Sequence, residues 1–301
     1  MKSTRSILVA TDLTESSDEV LRAAAALAAL TDAKLHILHA LDFQPQPYTS
    51  EALQPRTFQG HIDAANRALD DQIARTLRPG VEIGSREVII YVAHKAILER
   101  AKDVDADLIV LGPHRKRSDP GAFIGSTADR VIRTASVPCL IVRRPLSLPL
   151  RRVLVPIDLS SPALGALDVA IEWANALRPH PSDAQASPEL HVLHVIPRVF
   201  DFEDVPVDRN NVTVDLHRHV ESANAKVGGA VKAQEEVRWG DSAAEEILRT
   251  IRDENSDLVV MGTHGYGAVR RALIGSVASA VARAADCPVL LVPPSLWANR
   301  E

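Results

Sequence analysis

The residues with the clearest chemical content stand late in the chain: Gly262 and Gly265, then Gly275 followed at once by Ser276. Glycines let backbone N–H groups approach an anion closely. A glycine–serine step that opens a helix adds orphan amides and the positive end of the helix dipole. Ser276 contributes a hydroxyl as well. Two further positions belong with these by their place in the chain. Asp158 stands just past one short apolar run, and Val195 stands at the end of another. Taken together they suit a polyphosphate ligand. A lone glycine pair would merely shape a loop, but the full pattern in company with Asp158 favours nucleotide binding.

Other candidate groups carry less. His36 and His39, and again His191 and His194, invite a metal reading. Both pairs fall in strand-like runs, where a spacing of three turns the side chains to opposite faces. They read as structural histidines, and no metal site made by protein ligands alone is expected. His217 and His219 on a helix are poorly placed to share a metal. His114 and His264 recur at matched loop positions and are expected to support loop geometry. Cys139 and Cys287 flank prolines and do not align with each other, so buried structural thiols are expected rather than a nucleophile. The chain has no G-x-x-x-x-G-K-[ST] motif, and its first apolar runs end in Asp12 and Asp158 where a dinucleotide fold would place a glycine loop.

The elements that must position these residues come in duplicate. Residues 6–17 match 152–161, 35–40 match 190–195, 106–112 match 256–262, and 137–142 match 287–292. The blocks recur in the same order roughly 150 residues apart, which marks a duplicated domain. The boundary falls in the proline-punctuated stretch 143–150, giving domains 1–146 and 147–301. In the first copy strands are expected near 6–10, 34–41, 86–92, 107–111 and 139–143, and helices near 16–31, 57–78, 94–104 and 126–135. Ser16 and Glu19 read as a capping box, and Ser161 as the N-cap of a helix with Pro162 at its first position. Strand–helix alternation with continuous apolar strands implies an α/β architecture: two tandem, doubly wound, five-stranded parallel sheets. In such sheets ligands bind beyond the carboxyl ends of the strands.

The pattern G-x-x-G-x9-G-[ST] after the fourth strand resembles the ATP-binding signature of universal stress proteins, and the second copy meets it at Gly262, Gly265, Gly275 and Ser276. The resemblance covers nearly the whole chain, once per half. It implies an adenine nucleotide alpha hydrolase-like fold with ATP as a regulatory ligand and at most slow hydrolysis. Asp158 would contact the ribose or a bound metal, such as magnesium carried by ATP. The main chain at Val195 would meet the adenine, Gly262 and Gly265 would line the ribose and phosphates, and Gly275 and Ser276 would hold the phosphates. The first copy offers Asp12, Ala40, Gly112, Gly125 and Ser126 at the same positions, but Arg115 replaces the second glycine and Lys116 and Arg117 follow it. Arg115 would either block the backbone's approach or bind phosphate by its charge. The alternative is a scaffold that binds partners while its nucleotide sites are vestigial.

Composition narrows the setting. Of 301 residues 46% are hydrophobic and 24% charged, with a net charge of −5, which argues against a general nucleic-acid binder while leaving room for a local basic patch. The first apolar run is too short for a secretory or membrane segment. With two cysteines and no disulfide framework, a cytoplasmic protein is expected. The last strand of each domain, ending at Val142 and Val292, should lie at a sheet edge. Exposed edges invite pairing, so an intramolecular pseudo-dimer is expected, with a further homodimer left open. The segments 42–57 and 196–210 read as variable loops near the site.

Overall fold

A computed structural model describes residues 4–41, 55–113, 124–177, 188–198, 208–229, 231–265 and 274–296, with 55–58 described in their backbone alone. Short runs of branched and aliphatic residues form strands, and the longer Ala- and Leu-bearing segments between them form helices. The first half runs β1 (Ser6–Thr11), α1 (Asp18–Thr31), β2 (Lys34–Leu41), α2 (Pro55–Thr76), β3 (Ile83–Ile90), α3 (Ala93–Asp103), β4 (Leu108–Leu111), α4 (Ser126–Thr134) and β5 (Cys139–Ile141). The second repeats the order as β6 (Arg152–Pro156), α5 (Ser161–Ala176), β7 (Glu189–Pro197), α6 (Arg209–Ala225), β8 (Lys232–Gly240), α7 (Ala243–Glu254), β9 (Leu258–Gly262), α8 (Ser276–Ala284) and β10 (Val289–Val292).

Among the described residues the strands make one ten-stranded sheet, ordered β3-β2-β1-β4-β5-β10-β9-β6-β7-β8. Within each half every pairing is parallel. The halves meet where β5 and β10 pair antiparallel, with Leu140 opposite Leu290. Those strands do end their own five-stranded sets, yet neither keeps an open edge. The outer edges belong to β3 and β8.

Alternation along the strands sorts the core into two layers. Ile7, Val9, Leu35, Ile37, Val153 and Val155 pack with α1, α2, α5 and α6 on one face. Leu8, Leu38, Ile109, Leu154 and Val259 pack with α3, α4, α7 and α8 on the other. This two-sided burial explains why inner strands such as β4, β6 and β10 read as apolar runs. Each layer takes residues from both halves and is continuous across the seam.

Local expectations differ from the structure in three places. β3 runs over Ile83–Ile90 rather than 86–92, because Val92 becomes the N-cap of α3 and its carbonyl accepts from the Ala96 amide at 3.0 Å. No capping box forms at Ser16. A 3-10 turn, Glu15–Ser17, precedes α1, the Ser16 hydroxyl bonds that of Thr14, and Ser17 makes no side-chain cap bond. In α5 the N-cap is Ser160 rather than Ser161; its hydroxyl accepts from the Ala163 amide at 3.5 Å.

Cys139 and Cys287 are 1% and 4% exposed. Burial pushes both thiols up to about 12, helped at Cys287 by the charges of Asp257 and Asp286. Thiolate is then scarce at neutral pH. Ellman's reagent is expected to leave both unlabelled in the folded chain and to titrate both in denaturant; fast native labelling would contradict this burial.

Candidate functional site

The parallel order places β1 beside β4 and β6 beside β9 at the centre of each half. These are the topological switch points, where neighbouring loops diverge and leave a crevice. Asp12 follows β1 and Gly112 follows β4; Asp158 follows β6 and Gly262 closes β9. Because β5 and β10 run antiparallel, the carboxyl ends of the strands in the two halves, and the crevices there, point in opposite directions.

The aspartate turn is built alike in both halves. Asp12 Oδ1 accepts from the Thr14 amide at 3.1 Å and from the Thr14 hydroxyl at 2.6 Å. Asp158 Oδ1 accepts from the Ser160 amide at 3.0 Å and from the Ser160 hydroxyl. The intervening leucines, Leu13 and Leu159, hold φ of 61° and 63°. A left-handed leucine costs roughly 1–2 kcal/mol, and strain of this kind clusters at ligand sites. Sequence reasoning missed this strain. The signal was the recurring Asp-Leu-Thr and Asp-Leu-Ser in the two copies.

In the second half the glycine loop lies directly on this turn. A Cβ at Gly265 would run into Asp158 Oδ2. The positive-φ glycines among the described residues are Gly80, Gly228 and Gly229, so Gly265 is needed for space and not for φ. A Cβ at Gly262 would meet the Pro162 carbonyl oxygen at 3.1 Å and the His264 carbonyl oxygen at 3.2 Å. Between the glycines the loop is anchored inward. The Thr263 amide donates to the Val292 carbonyl at 3.0 Å, and the Thr263 hydroxyl bonds His264 Nδ1 at 2.8 Å. His264 is buried. The Gly275 amide donates to the Thr263 carbonyl at 2.8 Å, which ties the start of α8 to the loop. Ser276 is exposed at the first position of α8, whose opening amides lack intrahelical partners.

Val195 lies on β7 past the level of the β6 end, since Pro156 is opposite Leu193. Its neighbour His194 bonds the Ile157 carbonyl through Nδ1 at 2.8 Å, as His39 bonds that of Thr11 at 2.9 Å. These histidines pin β7 to β6 and β2 to β1 just before each aspartate. His36 and His191 lie on the opposite face, with Ser85 and with Glu254 as partners. In the first half Ala40, Gly112, Gly125 and Ser126 hold the corresponding places, and a Cβ at Gly112 would meet Val20 Cγ2 at 3.0 Å. Arg115, its neighbours Lys116 and Arg117, and His114 lie outside the described residues, as do 42–54 and 199–207 of the expected loops.

Fold and site together define a duplicated doubly wound α/β protein in whose second half a glycine-bearing loop lies against an aspartate turn at the switch point. The model of the universal stress protein family matches residues 3–143 and again 149–293, and the chain belongs to that family. A universal stress protein of Mycobacterium tuberculosis is 25% identical over 305 residues, spanning 96% of this chain and 97% of the relative. The solved universal stress protein from Archaeoglobus fulgidus DSM 4304 gives a TM-score of 0.68 at 20% identity, covering 97% of this chain and 99% of that one, a likeness of fold. A universal stress protein solved in complex with cAMP is 27% identical with a TM-score of 0.35, covering 47% of this chain and 98% of that one. Among the described residues no helix is long and apolar enough to cross a membrane.

Proposed function

We propose that the chain is a cytoplasmic stress protein that binds ATP as a regulatory ligand, chiefly through its second domain, 147–301, with 1–146 as the first. The observation that carries the reading is the fit of Gly265 against Asp158: a Cβ there would run into Asp158 Oδ2, so a glycine is what lets this loop lie against the aspartate turn at the strand ends. In this reading Asp158 contacts the ribose or a magnesium ion carried by ATP, the Val195 main chain meets the adenine, Gly262 and Gly265 line the ribose and phosphates, and Gly275 and Ser276 hold the phosphates. The donor set suits this ligand, since glycine backbone and a helix start offer N–H groups to phosphate while a carboxylate accepts from hydroxyls. Asp12, Ala40, Gly112, Gly125 and Ser126 offer a second site in the first domain. The two domains act as an intramolecular pseudo-dimer.

Calorimetric titration of the full chain with ATP tests the reading and counts sites. At least one ATP per chain is expected, weakened about tenfold or more by Asp158→Ala, as for loss of a hydrogen bond to a charged group. No heat of binding, together with a melting temperature that ATP leaves unchanged, would sink it and leave the scaffold reading.

A further inference from the structure

The two halves support the same aspartate turn from below by different chemistry. In the second half the supporting positions are Ile157, Ala163 and Leu164, all without a polar side-chain atom. Ile157 and Ala163 are buried in the apolar layer and Leu164 packs against it. In the first half the equivalent positions are Thr11, Ser17 and Asp18, which are 7%, 6% and 7% exposed. Into them α2 inserts Gln72, with no exposed surface at all.

The hydrogen bonds form one connected set. Thr11 Oγ1 donates to Gln72 Oε1 at 2.7 Å and accepts from the Leu13 amide at 3.0 Å. Gln72 Nε2 gives its two hydrogens to Asp18 Oδ1 at 2.8 Å and Ser17 Oγ at 2.9 Å, with the Thr14 carbonyl 3.3 Å away sharing one of them. Ser17 Oγ donates to that carbonyl at 2.8 Å. Both residues that follow Asp12 are therefore held, Leu13 through Thr11 and Thr14 directly. Arg75, one turn further along α2, donates to both Asp18 oxygens at 2.8 Å. Burial pushes the Asp18 carboxyl up. The hydrogen bonds of Arg75 and Gln72 and the charges of Arg75 and Arg22 outweigh that and leave it below the usual carboxylate range. A carboxylate at Asp18 also fixes which way the Gln72 amide points, since the flipped amide would set its oxygen against the charge.

We infer that Gln72, oriented by Asp18 and Arg75, is a positioning residue for Asp12, and that it couples α2 to the first domain's site through a polar relay the second domain lacks. The inference rests on the reading of Asp12 as a nucleotide contact. A ligand that orders the Asp12 turn then orders α2, and by linkage a partner that grips α2 changes the ligand's affinity. In the second domain the same turn rests on apolar packing, which has no directional preference to transmit.

Hydrogen exchange on the full chain, with and without ATP, reports the two turns separately. In the unaltered protein ATP is expected to slow exchange at 12–17 and in the 69–76 segment of α2 together. Gln72→Met keeps the volume and removes the amide. It should speed exchange at 13–17 about tenfold without ATP, leave 159–163 unchanged, and abolish the ATP effect on α2. A general loss of stability would raise exchange in both domains instead. Thr11→Val supplies a second variant that leaves the Asp18 contacts of α2 in place, and it should free the Leu13 amide alike. Unchanged exchange at 13–17 in both variants, or an α2 indifferent to ATP while 12–17 is protected, would overturn the relay. Protection by ATP at 158–163 with none at 12–17 would instead overturn the reading of Asp12 as a contact.

Discussion

Gly265→Ala is expected to abolish ATP binding by the second domain, lowering affinity there about a hundredfold or more while the fold survives. The added methyl meets Asp158 Oδ2. Asp158 cannot simply swing away, because its Oδ1 already accepts the amide and the hydroxyl of Ser160. Rotating the carboxylate breaks that turn, whose leucine is already held at φ 63°. Moving the loop instead strains Thr263, tied through its amide to Val292 and through its carbonyl to Gly275. Either movement displaces groups that line the site, and a loss of about 3 kcal/mol corresponds to roughly a hundredfold. The loop is at the surface end of the sheet, so the melting temperature should fall by a few degrees at most. Titration of Gly265→Ala with ATP checks this: full occupancy at unchanged affinity would show that the loop does not frame the ligand.

The inner strands were legible because they are buried on both sides and therefore mainly apolar, as in residues 7–10 and 153–156, whereas the outer strands β3 and β8 are part-exposed and carry charges. The place of the loop was legible because Gly112 and Gly262 stand at the end of the fourth strand of each copy, and Gly125 and Gly275 just before the helix that follows. Other features lay beyond any local pattern. Thr11 and Gln72 are 61 residues apart, and a glutamine on an amphipathic helix reads as a surface position until the structure brings a threonine, a serine and an aspartate to it. The capping box at Ser16 looked sound in isolation, but Ser17, the residue actually at the cap, has its hydroxyl in that buried network. Tertiary hydrogen bonding overrode the local preference there. The misplaced end of β3 also yields to other hydrogen bonding. Tyr91 and Val92 look like strand residues, yet Val92 is the N-cap of α3, and its carbonyl accepts from the Ala96 amide at 3.0 Å.

The join between the domains sets the second large expectation: Trp173→Ala should cost about 3–5 kcal/mol and destabilise both domains in one transition. The backbone ladder at the seam is short, running from Ile141–Val289 to Cys139–Leu291. Individual hydrogen bonds contribute about 1 kcal/mol net, so a ladder of this length holds little by itself. The halves are joined mainly by the apolar layers on either side. Trp173 of α5 is 6% exposed in the layer shared by both halves, and with Leu177 it lines a narrow apolar cleft against Leu27 and Thr31 of α1. Removing the indole opens a cavity that neither helix can fill, because each is fixed to its own strands; α1 packs on β1 and α5 on β6 and β9. The cavity is shared, so its cost falls on the contact between the domains. Urea unfolding followed by far-UV circular dichroism and by the fluorescence of the remaining tryptophans, Trp239 on the outer strand β8 and Trp297, should give coincident curves shifted to lower denaturant. If Trp173→Ala instead left the midpoint within about 0.5 kcal/mol of the unaltered chain, or split the transition so that one domain melted alone, the layers would not be what unites the two halves.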